Sequence, residues 1–119
     1  MTDTFTQAYV ECALWSSTDN SRDDGGDPLD DNYGPEDIAP ETLREMEADC
    51  ADFQEANADD LSDIDSSQAG HDFWLTRNGH GAGFWDRGLG ELGDRLSDAS
   101  KVYGGVDLYI GDDGQIYGA

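Results

Sequence analysis

Histidine, aspartate and arginine side chains are concentrated in one short stretch past the middle of the chain. Such residues cleave phosphodiesters or support metal-dependent hydrolysis when a carboxylate orients a histidine. The candidates are His71, Asp72, Arg77, His80, Asp86 and Arg87. If the stretch is extended, Asp72 lies on the opposite face from both His71 and Arg77, because successive side chains of a strand alternate. We therefore predict structural roles for these residues, no catalytic site and no enzyme.

Aspartates between positions 19 and 31 are dense enough to raise the question of a calcium site. A calcium-binding EF-hand loop needs glycine at its sixth position and glutamate at its twelfth. A loop that starts at Asp19 would have Asp24 and Asp30 at those two positions. We therefore predict no resident metal ion and no cofactor. Loose binding of divalent cations stays open as an alternative for the aspartates of this stretch, which are Asp23, Asp24, Asp27, Asp30 and Asp31.

The negative charge is unevenly distributed along the 119 residues. Positions 1–70 contain twenty acidic and two basic residues, a net charge of −18, whereas positions 71–119 carry −4 and the whole chain −22. Like charge at this density destabilises a compact state and repels nucleic acids and anionic membranes. The charge therefore predicts a basic protein partner, with no direct nucleic-acid binding and no membrane association. Two simpler explanations stay open: a surface that only confers solubility, and a salt-loving source.

Three segments have the apolar spacing of amphipathic helices, in steps of three and four. The first covers Phe5–Trp15 and the last covers Glu91–Tyr103. The clearest helix begins at Pro40, a residue that suits the first helical turn. Its apolar stripe consists of Leu43, Met46, Cys50, Phe53, Asn57, Leu61 and Ile64. Two alternatives stay open for its end: one helix that continues through Glu41–Asp63, or a stripe that ends near Asn57 with a second short turn at Ala58–Ile64.

Two further segments have the pattern of β-hairpins. The Asn78-Gly79 dipeptide is a strong signal for a two-residue turn, and it predicts a hairpin over His71–Trp85 after a loop at Asp65–Gly70. An Asp-Asp-Gly turn at positions 112–114 predicts a second hairpin over Val106–Tyr117. The register of that turn pairs Ile110 with Ile116 and keeps one face of the hairpin apolar.

The order helix, helix, hairpin, helix, hairpin predicts an α+β fold. A small antiparallel sheet from two β-hairpins would pack against about three helices. We expect a single domain over residues 1–119, with an acidic helical part at 1–70, in which a mobile loop covers 16–40, and a hairpin-helix-hairpin scaffold at 71–119. Cys12 and Cys50 lie on apolar stripes, so we predict buried free thiols rather than a disulfide.

Two stretches resemble a motif of small proteins encoded by bacteriophages and other mobile elements. The first is HDFWLTRNGHGAGFWDR at positions 71–87 and the second is LYIGDDGQIY at positions 108–117. The resemblance implies a mobile-element origin. It supplies no catalytic residues, because most members of that family have no assigned role. Since no run is apolar enough for a membrane span and nothing resembles a signal peptide, we expect the protein to act in the cytoplasm of a host bacterium.

The acidic half also predicts a function. Helical neighbours about 5–6 Å apart present carboxylates at intervals of the same order as DNA phosphates. The lysines and arginines that meet phosphates would meet this surface equally well. We therefore predict a phage-like acidic DNA mimic that occupies the nucleic-acid-binding site of a host protein, of the anti-restriction or anti-CRISPR type. The predicted contacts are Glu45, Glu47, Asp49, Asp52, Glu55, Asp59, Asp60, Asp23, Asp24, Asp30 and Asp31. Trp74 and Trp85 are candidate apolar anchors.

Three other functions stay open at the level of the sequence. The first is an acidic protein that binds divalent metals through its Asp-rich stretch. The second is a small enzyme built on His71, Asp72, Arg77 and His80. The third is a phage regulatory or assembly adaptor whose acidity is incidental to its role.

Overall fold

The computed structural model describes residues 3–17, 28–79 and 83–119. In these ranges the chain forms five α-helices and one small antiparallel sheet. The helices are α1 (Thr4–Ser16), α2 (Pro40–Ala56), α3 (Ala58–Leu61), α4 (Ser66–Arg77) and α5 (Glu91–Lys101). The sheet consists of β1 (Leu108–Ile110) and β2 (Ile116–Gly118). Short 3-10 turns cover Leu29–Asp31, Pro35–Asp37 and Phe84–Asp86.

The core is built around the contact between α1 and α4, the most extensive contact between two elements among the described residues. The two helices approach closely because Gly70 has no side chain. A Cβ atom at this position would lie 2.0 Å from the carbonyl oxygen of Phe5. From α2, Phe53 stacks on Phe73 of α4 with ring centroids 4.1 Å apart. Aromatic contacts therefore join α1, α2 and α4 into one core.

The predicted hairpin over His71–Trp85 is wrong, and so is the predicted loop at Asp65–Gly70. Helix α4 runs through most of the loop and into the first half of the supposed hairpin. The Asn78-Gly79 dipeptide ends this helix instead of turning a strand. Gly79 has a φ of +70°, the left-handed conformation that glycine supplies at the C-terminus of a helix. The same dipeptide serves both kinds of turn, so its presence alone did not decide between them.

Helix α4 lacks a helical apolar period because it is buried on nearly every side. Its buried residues are Ala69, Gly70, Asp72, Phe73, Trp74, Leu75, Thr76 and Arg77. A helix enclosed in this way has no polar face for a sequence pattern to reveal. Its aromatic and β-branched residues also favour strands when no tertiary contacts are considered. Packing against α1, α2 and α5 therefore outweighs the local preference of the sequence.

The predicted start of α2 is confirmed, and of the two alternatives for its end the structure has the shorter helix. The helix begins at Pro40, ends at Ala56 and is followed by the short α3. Its buried side chains are Thr42, Met46, Cys50 and Phe53, which follow the predicted stripe except for Thr42 in place of Leu43. Leu43 packs against the edge of the core and is partly exposed. The predicted first and last helices are also present, as α1 and α5.

The second hairpin is confirmed, and its register is the predicted one. Ile110 lies opposite Ile116, and Gly114 adopts a φ of +82° in the turn. The fold class as a whole is corrected, because the described residues are mostly helical and their one sheet has only two strands. The α+β description with two hairpins overestimated the strand content. None of the described helices is long and apolar enough to cross a lipid bilayer.

Residues 28–39, which precede α2, contain two 3-10 turns. Leu29 and Ile38 are buried in the core, and the amide of Leu29 donates a hydrogen bond to the carbonyl of Ser17 at 2.9 Å. The amide of Ala39 donates to the carbonyl of Ile116 at 2.9 Å, which joins this segment to β2. Both cysteines are buried and free, as predicted.

Candidate acidic interface

Four of the predicted contact carboxylates are exposed on the outer face of α2 and α3. They are Glu45, Asp52, Glu55 and Asp59. They lie there because the buried stripe of α2 occupies the opposite side of the helix and leaves its charged arc to solvent. Asp30 and Asp31 are exposed on the 3-10 turn that precedes α2. Asp23 and Asp24 lie outside the described residues.

Asp49 has a different role from the one that the sequence predicted. Its Oδ2 atom accepts a hydrogen bond from Arg77 Nη1 at 2.9 Å, and its side chain is only 37% exposed. Arg77 is buried between helices and also donates to Tyr9 Oη and to the backbone carbonyls of Tyr103 and Gly104. If this carboxylate bound a partner instead, the buried guanidinium would lose its counter-ion and the protein would lose much of its stability. Asp49 is therefore a structural residue.

Asp52 and Asp60 lie at the surface but already have partners within the chain. The hydroxyl of Tyr103 donates to Asp52 Oδ2. Arg95 donates to both carboxylate oxygens of Asp60, at 3.2 and 3.0 Å, and this hydrogen bonding holds the pKa of Asp60 below its ordinary value. Glu47 is partly buried and interacts with other groups of the protein. Asp52 and Asp60 therefore remain at the surface, each with a hydrogen-bond donor from within the chain.

The junction between α2 and α3 collects acidic groups around a shallow depression. Asn57 breaks the helix there with φ −122° and ψ 25°, and its side-chain amide donates to the carbonyl of Phe53 at 2.9 Å. The change of direction places α3 beside the end of α2. The depression has a volume of about 390 Å³, and Glu55, Asp59 and Asp60 line it. We name the outer surface formed by Glu41, Glu45, Asp52, Glu55, Asp59 and Asp60 the acidic face.

The residues that suggested hydrolytic chemistry are held in separate structural contacts. Asp72 is 1% exposed and accepts hydrogen bonds from Arg87 at 2.8 and 3.2 Å, whereas Arg77 pairs with Asp49. His71 accepts a hydrogen bond at Nε2 from the indole of Trp15, at 3.1 Å. His80 lies outside the described residues. The helix thus directs Asp72 and Arg77 into two different ion pairs.

In the ranges that the structure describes, no three or more histidine, cysteine, aspartate or glutamate side chains are grouped so as to hold a metal ion. Asp30 and Asp31 are the described members of the Asp-rich stretch, and Asp23, Asp24 and Asp27 lie outside the described residues. The two candidate apolar anchors differ in exposure. Trp74 is buried and its indole donates to Ser16 Oγ at 2.8 Å, whereas Trp85 is 53% exposed.

One feature of the surface was missed by reasoning from the sequence. Tyr109 and Tyr117 lie opposite each other on β1 and β2 and stack with ring centroids 5.9 Å apart. The predicted register, which pairs Ile110 with Ile116, already places the two tyrosines across from one another. Alternation along each strand puts them on the face away from the buried isoleucine. The sequence therefore contains the signal for this pair.

No family model, curated protein or solved structure matches this chain. The resemblance of positions 71–87 and 108–117 to small phage proteins therefore stays a prediction.

Proposed function

We propose that this protein is an acidic DNA mimic that binds a basic nucleic-acid-binding protein through the acidic face of α2 and α3. The observation that carries the proposal is the exposure of Glu45, Glu55 and Asp59 on one surface, in a chain with a net charge of −22. These carboxylates are exposed to solvent, where the side chains of a partner can contact them. The rest of the molecule acts as the scaffold that presents them.

The spacing of the carboxylates on α2 supports this reading. Glu41, Glu45, Asp52 and Glu55 fall within an arc of about 80° when each residue turns the helix by about 100°. At about 1.5 Å of rise per residue, they extend over about 21 Å. The mean interval of ~7 Å between these carboxylates is of the same order as the spacing of the phosphates of a DNA strand, which recur every ~3.4 Å of axis. A row of lysines and arginines that contacts several successive phosphates can therefore contact this helix.

The proposed partner is a host protein whose basic site otherwise holds DNA or RNA, such as a component of a restriction or CRISPR system. We base this context on the predicted phage origin, and the proposal includes a location in the bacterial cytoplasm. Opposite charges would steer the two proteins together, so association would be fast and strongly dependent on salt.

Affinity capture from a bacterial lysate tests the proposal. Nucleic-acid-binding proteins should be retained at low salt, and they should be released both by rising salt and by added duplex DNA. Glu45→Lys with Glu55→Lys should abolish retention. Asp98→Lys with Asp107→Lys changes the net charge equally at exposed positions on α5 and before β1, and should retain the same proteins. The proposal would be contradicted if neither salt nor duplex DNA released the retained proteins. It would also be contradicted if both double variants lost retention equally.

A further inference from the structure

The strands of the C-terminal hairpin carry an exposed aromatic pair whose role the acidic face does not explain. Tyr109 is 49% exposed and stacks on Tyr117, with an angle of 25° between the ring planes. Most of the protein's other aromatic side chains are in the core, and Trp15 and Trp85 are the further exposed ones among the described residues. The pair forms one wall of a shallow depression of about 570 Å³.

Three contacts fix the ring of Tyr117. Its hydroxyl donates to Asp113 Oδ2 at 2.6 Å, and its ring stacks on Tyr109. The ring also lies over Gly111, where a Cβ atom would be 2.5 Å from Tyr117 Cε2. A surface ring held in this way loses little conformational freedom when a ligand packs on it, and such preorganisation favours binding.

Negative charge surrounds the aromatic pair. Asp112 and Asp113 line the same depression, and Asp113 accepts hydrogen bonds from Tyr117 Oη and from the amide of Gln115 at 3.0 Å. These hydrogen bonds hold the pKa of Asp113 below its ordinary value, so the group is ionised at neutral pH. The carboxylate of Glu41 is near enough for its charge to act on the Tyr117 hydroxyl. Glu41 belongs to the first turn of α2, so the depression adjoins the acidic face.

We propose that this depression binds an arginine side chain of the basic partner, with the guanidinium stacked on Tyr109 and donating hydrogen bonds to Asp112 and Asp113. A planar guanidinium fits an aromatic face and a carboxylate at once, whereas the compact ammonium of lysine does so poorly. The inference rests on the proposed function, because it names the side chain by which the basic partner is held. It adds a preference for arginine that charge alone does not give.

A purely structural role is the competing explanation. Directly opposed aromatic residues stabilise an antiparallel hairpin by themselves. In that case Tyr109 would contribute to the stability of the hairpin and have no influence on which cation binds. The two explanations predict different ratios between the affinity for an arginine ligand and the affinity for a lysine ligand. A loss of stability alone does not change this ratio.

The test compares hexa-arginine and hexa-lysine peptides, titrated into the protein at one ionic strength. The wild type should bind the arginine peptide about two- to five-fold more tightly, as expected for one cation–π contact at an exposed site. Tyr109→Phe should keep this ratio. Tyr109→Leu should bring it to about one and leave the affinity for the lysine peptide unchanged.

A second measurement applies to the wild type alone, in case Tyr109→Leu disturbs the hairpin. The ring resonances of Tyr109 and Tyr117 should shift on titration with N-acetyl-arginine amide and respond less to the lysine analogue. Equal ratios in wild type and Tyr109→Leu, or equal ring shifts with both amides, would overturn the inference. Neither result affects the capture experiment with the Glu45→Lys and Glu55→Lys double variant. Failure of that experiment would instead overturn the proposed function.

Discussion

Arg77 of α4 lies 2.9 Å from Asp49 of α2, and this ion pair joins the two helices at the edge of the aromatic core. The guanidinium carbon also lies 5.6 Å from the ring centroids of both Phe73 and Tyr103. One buried cation thereby binds an acidic helix, two aromatic rings and the carbonyls that follow α5. In a chain with only six basic residues, this one stabilises the interior of the fold and is not available to a ligand.

Loss of the Arg77 side chain should therefore be severe. Arg77→Ala should lower the free energy of unfolding by about 3–5 kcal/mol, because Asp49 and two backbone carbonyls lose their donor. Asp49→Asn should cost about 1–2 kcal/mol, since Arg77 keeps its three other acceptors. Urea unfolding followed by circular dichroism measures both values. A smaller loss for Arg77→Ala than for Asp49→Asn would show that the pair does not organise the core as described.

The close approach of α1 and α4 at Gly70 makes a second prediction. Gly70→Ala should destabilise the protein by about 1–3 kcal/mol or more, because the new methyl group meets the Phe5 carbonyl and the helices must separate. Ser67→Ala, at an exposed position of the same helix, is the control and should change stability by no more than about 0.5 kcal/mol. Thermal unfolding of the two variants would show the difference. If Gly70→Ala is neutral, the two helices do not cross at this distance.

Salt should stabilise this protein. Its net charge of −22 repels itself in the folded state, and the Debye length falls from about 30 Å at 0.01 M to about 3 Å at 1 M ionic strength. The free energy of unfolding should therefore rise with added sodium chloride. The rise should be smaller for Glu45→Lys with Glu55→Lys, which removes part of the repulsion. Stability that falls with salt would mean that ion pairs such as Arg95 with Asp60 outweigh the repulsion.

Tyr103 should make the protein sensitive to alkali. Burial, followed by its hydrogen bond to Asp52, raises the pKa of the Tyr103 phenol to about 12, compared with an ordinary value near 10. The folded state thus favours the protonated phenol. Its contribution to stability is present in full below about pH 10 and is lost as the pH rises through about 12. Absorbance at the phenolate band should show late ionisation, and Tyr103→Phe should reduce the loss of stability between these pH values. A Tyr103 midpoint near pH 10 would contradict this prediction.

Much of the helical framework could be predicted from the sequence. Helix α2 could be predicted because its buried residues recur every three or four positions while its other face is charged, whereas the sequence left its end open between Asn57 and Asp63. The second hairpin was found because Asp112, Asp113 and Gly114 require a turn that sets the register on either side. The periodicity of α2 and the turn residues of the hairpin both agree with the way these elements pack in the folded protein.

The sequence was misleading for α4, where local signals and tertiary environment disagree. Asn78-Gly79 fits a hairpin turn and a helix end equally well, and only the burial of the preceding residues by α1 and α2 selects the helix. The acidic face shows the same limit. The sequence does not distinguish three aspartates of this region from Glu45 and Glu55. Long-range hydrogen bonds nevertheless join Asp49 to Arg77, Asp52 to Tyr103 and Asp60 to Arg95.

The sequence by itself thus determined the charge, the amphipathic helices and the register of the last hairpin, because each depends on residues that are near one another in the chain. Only the tertiary structure decided which carboxylates are exposed and which are committed to the fold. The partners of Asp49 and Asp60 lie 28 and 35 residues away, a separation at which no local pattern can report an ion pair.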